Sequence, residues 1–424
     1  MVLPESFVVN TALAITLALG LGHTAAAQVP PARSDLAPAA SPTPTTAAKP
    51  SSGVTARLLY VGEAGWSPTG GIHSGGAYIN SLDARLDLDT NKAFGLPGGK
   101  AVLEGFYVNA DSFQKRFVGA VQDPSAIDSG RGALFRLYQA YYDQSFASTG
   151  TRVTLGIQDL ETSFGNTKPM EIFSNGAYAW NGVLDASGRN GPGTYPNTPL
   201  ALKVKQRIDA QWSIQLAIAD GVPNSEKVPT ANAININSRN GAFLIGEVDF
   251  QPGRNTKLFA GFWNYTGKFD ALNQIDASGT QREVFGSRGA YLGGAMRLAS
   301  FSGRRGLDAF ANIGIGDGRT NVIDGSLNVG LNLAGPFASR PDDHVGIAAG
   351  LVKASDAYRH AQVVSGSVAT SQETNFELTY RAPINEWLTV QPDIQYWIHP
   401  GLDQGRKNTL LLMVHFEIGH LFNL

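Results

Sequence analysis

From residue 54 onward, apolar and polar side chains alternate one by one in segments of about ten residues, separated by Gly, Pro, Asn and Asp clusters. The clearest segment is Leu82-Asp83-Ala84-Arg85-Leu86-Asp87-Leu88-Asp89. Successive side chains on a strand point to opposite faces, so Leu82, Ala84, Leu86 and Leu88 share one face and four charged residues share the other. The same period recurs at 200–205, 212–218, 327–333, 376–380 and 410–422, and no long 3.6-residue periodicity competes with it. The chain is therefore all-β.

Two kinds of β protein alternate in this way. A soluble sandwich packs one face into a core and wets the other. Here the polar faces are too charged to pack together (Asp83, Arg85, Asp87; Lys203, Lys205, Arg207), while the opposite faces carry Leu, Val and Ile. In lipid the backbone must close its own hydrogen bonds, so apolar-out, polar-in strands form a closed cylinder. The expected fold is a transmembrane antiparallel β-barrel of about sixteen strands, at 54–66, 76–90, 100–110, 131–146, 151–160, 199–209, 211–220 and 241–251. The second half continues at 255–266, 286–299, 307–317, 323–334, 343–353, 372–382, 387–399 and 408–422. Short breaks such as 208–210 and 252–254 alternate with long ones at 161–198, 221–240 and 267–285, as periplasmic turns alternate with extracellular loops. Tyr60, Trp66, Tyr107, Tyr380, Trp387, Tyr396 and Phe422 stand near strand ends, where aromatic girdles sit. Leu82, Leu86, Leu202, Ile214, Val329 and Phe376 are expected to touch lipid, with Leu86 near mid-membrane.

Composition narrows the function. The 424 residues could make several soluble domains or one large barrel, and the unbroken alternation selects the barrel. A net charge of -2 offers no field for nucleic acid, and the absence of cysteine excludes disulfides, thiolate catalysis and Cys-ligated metals. Beyond residue 22 no uncharged apolar run reaches about 18 residues, which excludes a helical membrane protein. Residues 1–27 read as a secretory signal: Phe7 to Gly22 is apolar and Ala25-Ala26-Ala27 supplies small residues for cleavage, although Asn10 interrupts the run and Lys and Arg are missing. Residues 28–53, rich in Pro, Ala and Thr, cannot bury enough surface to order themselves. The barrel domain is 54–424.

Beyond alternation, specific residues resemble the OprB-type carbohydrate-selective porin family over essentially all of 54–424. At the N-terminal end these are Tyr60-Val61-Gly62-Glu63-Ala64-Gly65, Gly70-Gly71, Gly76-Ala77-Tyr78, Leu86-Asp87-Leu88-Asp89 and Gly95-Leu96-Pro97-Gly98-Gly99. In the middle stand Arg136-Leu137-Tyr138-Gln139-Ala140-Tyr141-Tyr142, Leu155-Gly156-Ile157-Gln158-Asp159 and Phe164. Most specific are Phe376-Glu377-Leu378-Thr379-Tyr380, Pro383, Trp387-Leu388, Gln391-Pro392-Asp393-Ile394-Gln395-Tyr396 and His399-Pro400-Gly401. The resemblance implies a sixteen-stranded porin in the outer membrane of a Gram-negative bacterium, passing small carbohydrates such as glucose by diffusion. Its implied partners are outer-membrane lipid and lipopolysaccharide, sugars in transit and the barrel-assembly machinery, with homo-oligomers open to it. The chain departs from the pattern in ending Phe422-Asn423-Leu424 rather than on an aromatic residue. Two alternatives stay open: a general or anion-leaning porin, and a non-conducting surface anchor.

Catalytic constellations are missing. There is no His-Glu-x-x-His pair, no Gly-x-Ser-x-Gly elbow and no Walker loop, and His415 or His420 on the last strand has no serine motif to serve. Asp83, Asp87 and Asp89 lack the loop and glycine of a calcium motif. Neither an enzyme, a cofactor nor a metal is expected. The candidate pore-lining and sugar-contacting residues are Arg57, Asp83, Arg85, Asp87, Glu104, Arg136, Lys203 and Lys205, by face parity, with Trp180 and Arg189 from the long loop. A guanidinium offers five donors in a rigid fork, which suits sugar hydroxyls. Loop 161–198 is the expected constriction: its Phe164, Phe173, Tyr178, Trp180 and Tyr195 could stack on sugar rings beside Asn166, Lys168, Glu171 and Arg189.

Overall fold

The computed structural model describes residues 52–110, 113–130, 132–224, 232, 234, 236–275 and 280–424. The expected leader 1–27 and the Pro-rich segment through residue 51 lie outside the described residues. Sixteen antiparallel strands follow in chain order: β1 (Val54–Gly71), β2 (Gly75–Asp89), β3 (Gly99–Ala110), β4 (Gly132–Phe146), β5 (Thr151–Ile157), β6 (Leu200–Arg207), β7 (Trp212–Asp220) and β8 (Ala242–Gly253). The second half comprises β9 (Thr256–Ile275), β10 (Gln281–Ser300), β11 (Gly306–Gly316), β12 (Ile323–Ala334), β13 (His344–Ala354), β14 (Gln372–Pro383), β15 (Leu388–Ile398) and β16 (Lys407–Asn423). Each pairs with its neighbours in sequence, and β1 pairs with β16 from Thr55↔Asn423 to Gly71↔Lys407, closing the barrel.

All sixteen expected strands are present, with two instructive differences. The strand expected at 151–160 leaves the wall at Ile157, because the chain there turns into the lumen. The expected loop 267–285 is instead mostly strand, since β9 and β10 stay paired as far as Ile275↔Gln281. Its Gly, Asn, Asp and Ser content looks like a turn. Yet Phe269 and Ala271 are buried and the Lys268 ammonium lies 3.0 Å from the Glu283 carboxylate across the ladder, which extends the hairpin.

The start of β1, the end of β16 and most of the short connections share one rim, the periplasmic one by the rule for such barrels. One of these connections is a helical turn, α1 (Thr90–Phe94). The Asp89 carboxylate accepts from Asn91 N (3.0 Å) and Lys92 N (3.1 Å), and Gly95 ends the turn in a left-handed conformation at φ +70°. The opposite rim carries the long connections 111–131, 158–199, 221–241 and 355–371, the last containing α3 (Asp356–Val364).

Face parity holds around the wall. Leu82, Leu86, Leu202, Ile214, Val329 and Phe376 are all exposed on the outer surface. Leu86 is not central, however: it pairs with Ala56, close to the start of β1, and so lies near the periplasmic rim. Leu292, between Ala260 and Ile313, is well inside the lipid-facing wall. Because the cost of a charge in lipid falls toward the interface, Leu292→Arg is expected to destabilise the barrel by about 2–4 kcal/mol and Leu86→Arg by about 1 kcal/mol or less. Denaturant unfolding of the two variants reconstituted in lipid checks the order, which a water-facing outer wall would abolish.

Candidate functional site

Two long connections fold into the barrel. The first, 158–199, carries Leu160, Phe164, Trp180, Val183 and Leu184, which pack with Phe243, Trp263, Tyr265 and Tyr291 of the inner wall. Further along, Met170, Ile172, Phe173 and Tyr178 pack on Phe310 and Ala348. Inner-wall polar side chains satisfy its backbone. Gln215 Nε2 donates to Ser163 O at 2.6 Å, Lys257 Nζ to Asn166 O at 2.9 Å, and Gln391 Nε2 to Ile172 O at 2.7 Å. The Glu377 carboxylate accepts from Ser174 N (2.8 Å) and Asn175 N (3.2 Å), and Asn328 Nδ2 donates to Ala177 O at 2.7 Å. The connection is thus fastened along the wall from β7 to β15. It contains short turns and one four-residue helix, α2 (Gly182–Asp185), started by the Asn181 side chain.

The second in-folded segment, 113–130, was not foreseen. Phe113, Phe117 and Val118 pack against Ile79, Phe106, Leu134, Trp397 and Leu411. The Glu373 carboxylate accepts from Val121 N (2.8 Å) and Gln122 N (3.1 Å), and Ser125 donates to Glu63. Gly65 is required on β1, since a Cβ there would lie 2.4 Å from the Phe113 ring. The sequence did carry a signal. Ile79, Phe106, Leu134, Trp263 and Phe310 are large apolar residues on lumen-facing parity, where only a protein cover keeps them from water.

Of the candidate residues, five meet. Arg57 on β1, Arg85 on β2 and Glu104 on β3 stand side by side in register. Glu104 receives Arg57 Nη2 at 3.0 Å and Arg85 Nη1 at 2.9 Å. Asp83 takes Arg57 Nη2 at 2.9 Å, and Asp87 takes Arg85 Nε at 3.0 Å and Lys100 Nζ at 3.1 Å. The result is a row of alternating donors and acceptors, with every carboxylate paired. Lys205 on β6 shares Asp249 with Lys257 (3.1 and 3.3 Å), and Lys203 donates to Ser163 of the in-folded connection.

The other three are elsewhere. Arg136 is fully buried on β4, opposite Phe106, whose ring packs 5.1 Å from that of Tyr195. Trp180 is 1% exposed, so its ring offers no open face for stacking on a sugar; Phe164, Phe173 and Tyr178 are buried with it. Their apolar surface is better hidden against the wall than in a water-filled pore. Arg189 donates to Asn240, joining the first connection to 221–241. Among the described residues no cluster of three or more His, Asp or Glu could hold a metal; Asp89 caps α1, and Asp83 and Asp87 are held by arginines. On the in-folded connection, burial and then the neighbouring Asp159 push the Glu161 carboxyl up to about 8. Burial lifts Glu171 to about 7 and Asp185 to about 6.

The family model described as carbohydrate-selective porin, OprB family, matches residues 73–419. Porin B of Pseudomonas aeruginosa is 27% identical over 397 residues, covering 85% of this chain and 86% of its own. A putative porin, QuiX, of Acinetobacter baylyi is 23% identical over 300 residues, covering 64% and 66%. Among solved structures, the high-pH structure of Pseudomonas putida OprB superposes with a TM-score of 0.78 at 22% identity, covering 87% of this chain and 94% of that one.

Glu377 is the anchor most open to test. Glu377→Leu leaves two buried N–H groups without an acceptor, about 1–3 kcal/mol each. The connection should loosen, so single-channel conductance should rise and become noisier; wild-type traces would contradict the anchoring. A second expectation concerns pH. As pH climbs from about 6 to about 9, Glu171 and then Glu161 lose protons, and the lumen gains negative charge. Reversal potentials in a salt gradient should move toward cation preference, and Glu161→Gln should remove the upper part of that movement.

Proposed function

This chain belongs to the OprB family of carbohydrate-selective porins, and from that premise we propose that the Arg57, Arg85, Glu104 row and the in-folded connection 158–199 together discriminate among its solutes. The protein is an outer-membrane channel through which small carbohydrates diffuse, and not an enzyme. The finer reading is that mono- and disaccharides such as glucose are preferred. Each sugar hydroxyl can both donate and accept hydrogen bonds, and the row presents guanidinium donors and carboxylate acceptors in alternation. Such contacts are weak and several, as conduction requires, so a sugar enters and leaves. Asp83 and Asp87 hold the two forks in place, and Lys203 and Lys205 add donors on β6. Arg136, Trp180 and Arg189 support the in-folded connection rather than touch the solute. The observation that carries the reading is the fastening of 158–199 along the inner wall, which narrows the path. The outer wall meets outer-membrane lipid and lipopolysaccharide, the barrel-assembly machinery inserts it, and a homo-oligomer is compatible with the free outer surface.

One observation favours a second reading, an anion-leaning pore. Arg152 on β5, Lys203 and Lys205 on β6 and Lys257 on β9 all turn to the lumen, and Lys205 and Lys257 share the one carboxylate of Asp249.

Single-channel recording with and without glucose separates the two. Arg85→Ala and Arg57→Ala should each raise ion conductance and weaken block by glucose. Arg85→Lys should keep the ion behaviour better than the sugar block, because the charge remains and the planar fork is lost. If wild type and all three variants conduct alike and glucose blocks them alike, the row is only lumen wall. Strong anion preference in wild type with no glucose block would support the second reading instead.

A further inference from the structure

Five lumen-facing side chains run in a line from β14 over β16 and β1 to the in-folded segment 113–130. The fork of Arg381 donates to both oxygens of Glu417, at 2.8 and 2.9 Å. Glu417 Oε1 lies 3.2 Å from His415 Nε2, and His415 Nδ1 lies 2.8 Å from Glu63 Oε1. The other oxygen of Glu63 accepts from the Ser125 hydroxyl. Register sets this order, since His415 stands opposite Glu63 across the β1–β16 seam.

The imidazole decides the charge of the line. Each ring nitrogen faces a carboxylate oxygen, so each must carry a hydrogen; a ring with one N–H would set a bare lone pair against the other oxygen. Imidazole is also a stronger base than a carboxylate, so the proton between His415 and Glu63 sits on the ring. Glu417 would stay paired without it, because Arg381 holds both of its oxygens. Glu63 would not. It is 1% exposed, and among the described residues His415 is its one cationic partner. In register, β2 offers Glu63 the neutral Ile79 and β15 offers His415 the neutral Gln391. Asp393 of β15 and Asp128 of segment 113–130 add negative charge around Glu63, and Tyr195 faces it from 158–199. A buried carboxylate stripped of its counter-charge is strongly destabilising.

Ser125, at the far end of the line, stands where the two in-folded segments meet. Ala126 N donates to Ser174 O at 2.8 Å, and the Tyr195 hydroxyl donates to Ile127 O at 3.0 Å. Gln395 Nε2 on β15 donates to Pro124 O at 2.9 Å, so β15 and β1 hold this junction from two sides.

We propose that His415 is a positioning residue of the channel: its doubly protonated ring fixes the Glu63 carboxylate, which holds the junction of the two in-folded segments to the wall through Ser125. The assignment concerns where the segments lie, whichever solute passes. Its effect on conductance rests on the narrowing proposed above.

Hydrogen exchange of residues 113–130 in the full-length protein reads the junction, and single-channel conductance reads the path. His415→Leu should speed that exchange by about tenfold or more. His415→Lys returns a charge with several donors and should exchange as slowly as wild type. Glu63→Gln added to His415→Leu should slow exchange again, because it removes the unpaired carboxylate; a ring that merely filled space would gain nothing from the second change. Nitrogen NMR of wild type with labelled histidine should show protons on both nitrogens of the His415 ring at neutral pH, a readout that stands even if a variant fails to fold. The proposal is overturned by a ring with one N–H, or by His415→Leu exchanging as wild type does. It is equally overturned if the Lys variant or the double variant exchanges as fast as His415→Leu. Faster exchange in His415→Leu with unchanged conductance would support the positioning and count instead against the narrowing.

Discussion

In hydrocarbon a backbone N–H or C=O without a partner costs several kcal/mol, and every other feature of this molecule follows from meeting that demand. Fifteen strand pairings join sequence neighbours, but the sixteenth joins β1 to β16, nearly a whole chain apart. Without that seam both edge strands would present unpaired rows to lipid. Just outside it Ser52 N, two residues before β1, donates to Leu424 O at 3.2 Å. Closure also fixes what each face meets. Leu, Ile and Phe turn to lipid, and the charges of the same strands turn to a shared, enclosed lumen.

An enclosed polar lumen allows what lipid forbids, namely irregular backbone at membrane depth. Segments 113–130 and 158–199 exploit it. Their apolar residues cover apolar patches of the inner wall, and their N–H groups donate to two inner-wall carboxylates of β14, Glu373 and Glu377. The wall and the in-folded segments therefore stabilise each other. The narrowing proposed for the pore would be a by-product of that packing, and the arginines of β1 and β2 remain partly exposed.

The strands were legible because a period of two admits no compromise in lipid: one slip would reverse every side chain. The lumen-facing charges were legible by the same parity. What sits against what was not. That Glu104 would gather Arg57 and Arg85 depends on register across three strands, which no local pattern states. Trp180 looked like a stacking platform because aromatic residues in a loop suggest binding, but its ring met apolar wall first. The strand extensions at 267–285 hid behind turn-forming residues that pair all the same. Segment 113–130 announced itself only indirectly, through Ile79, Phe106 and Leu134 on the side that should have been wet.

In the function proposed for this chain, the in-folded connection on one stretch of the wall and the arginine–carboxylate row on another make the pore choose sugars rather than sizes. Liposome swelling measures this directly, with a series of monosaccharides, disaccharides and larger oligosaccharides set against amino acids and polyols of matching mass. Glucose should enter faster than non-sugar solutes of its own size, and rates should fall steeply beyond disaccharides. Rates that follow solute size alone, with sugars and non-sugars on one curve, would contradict it.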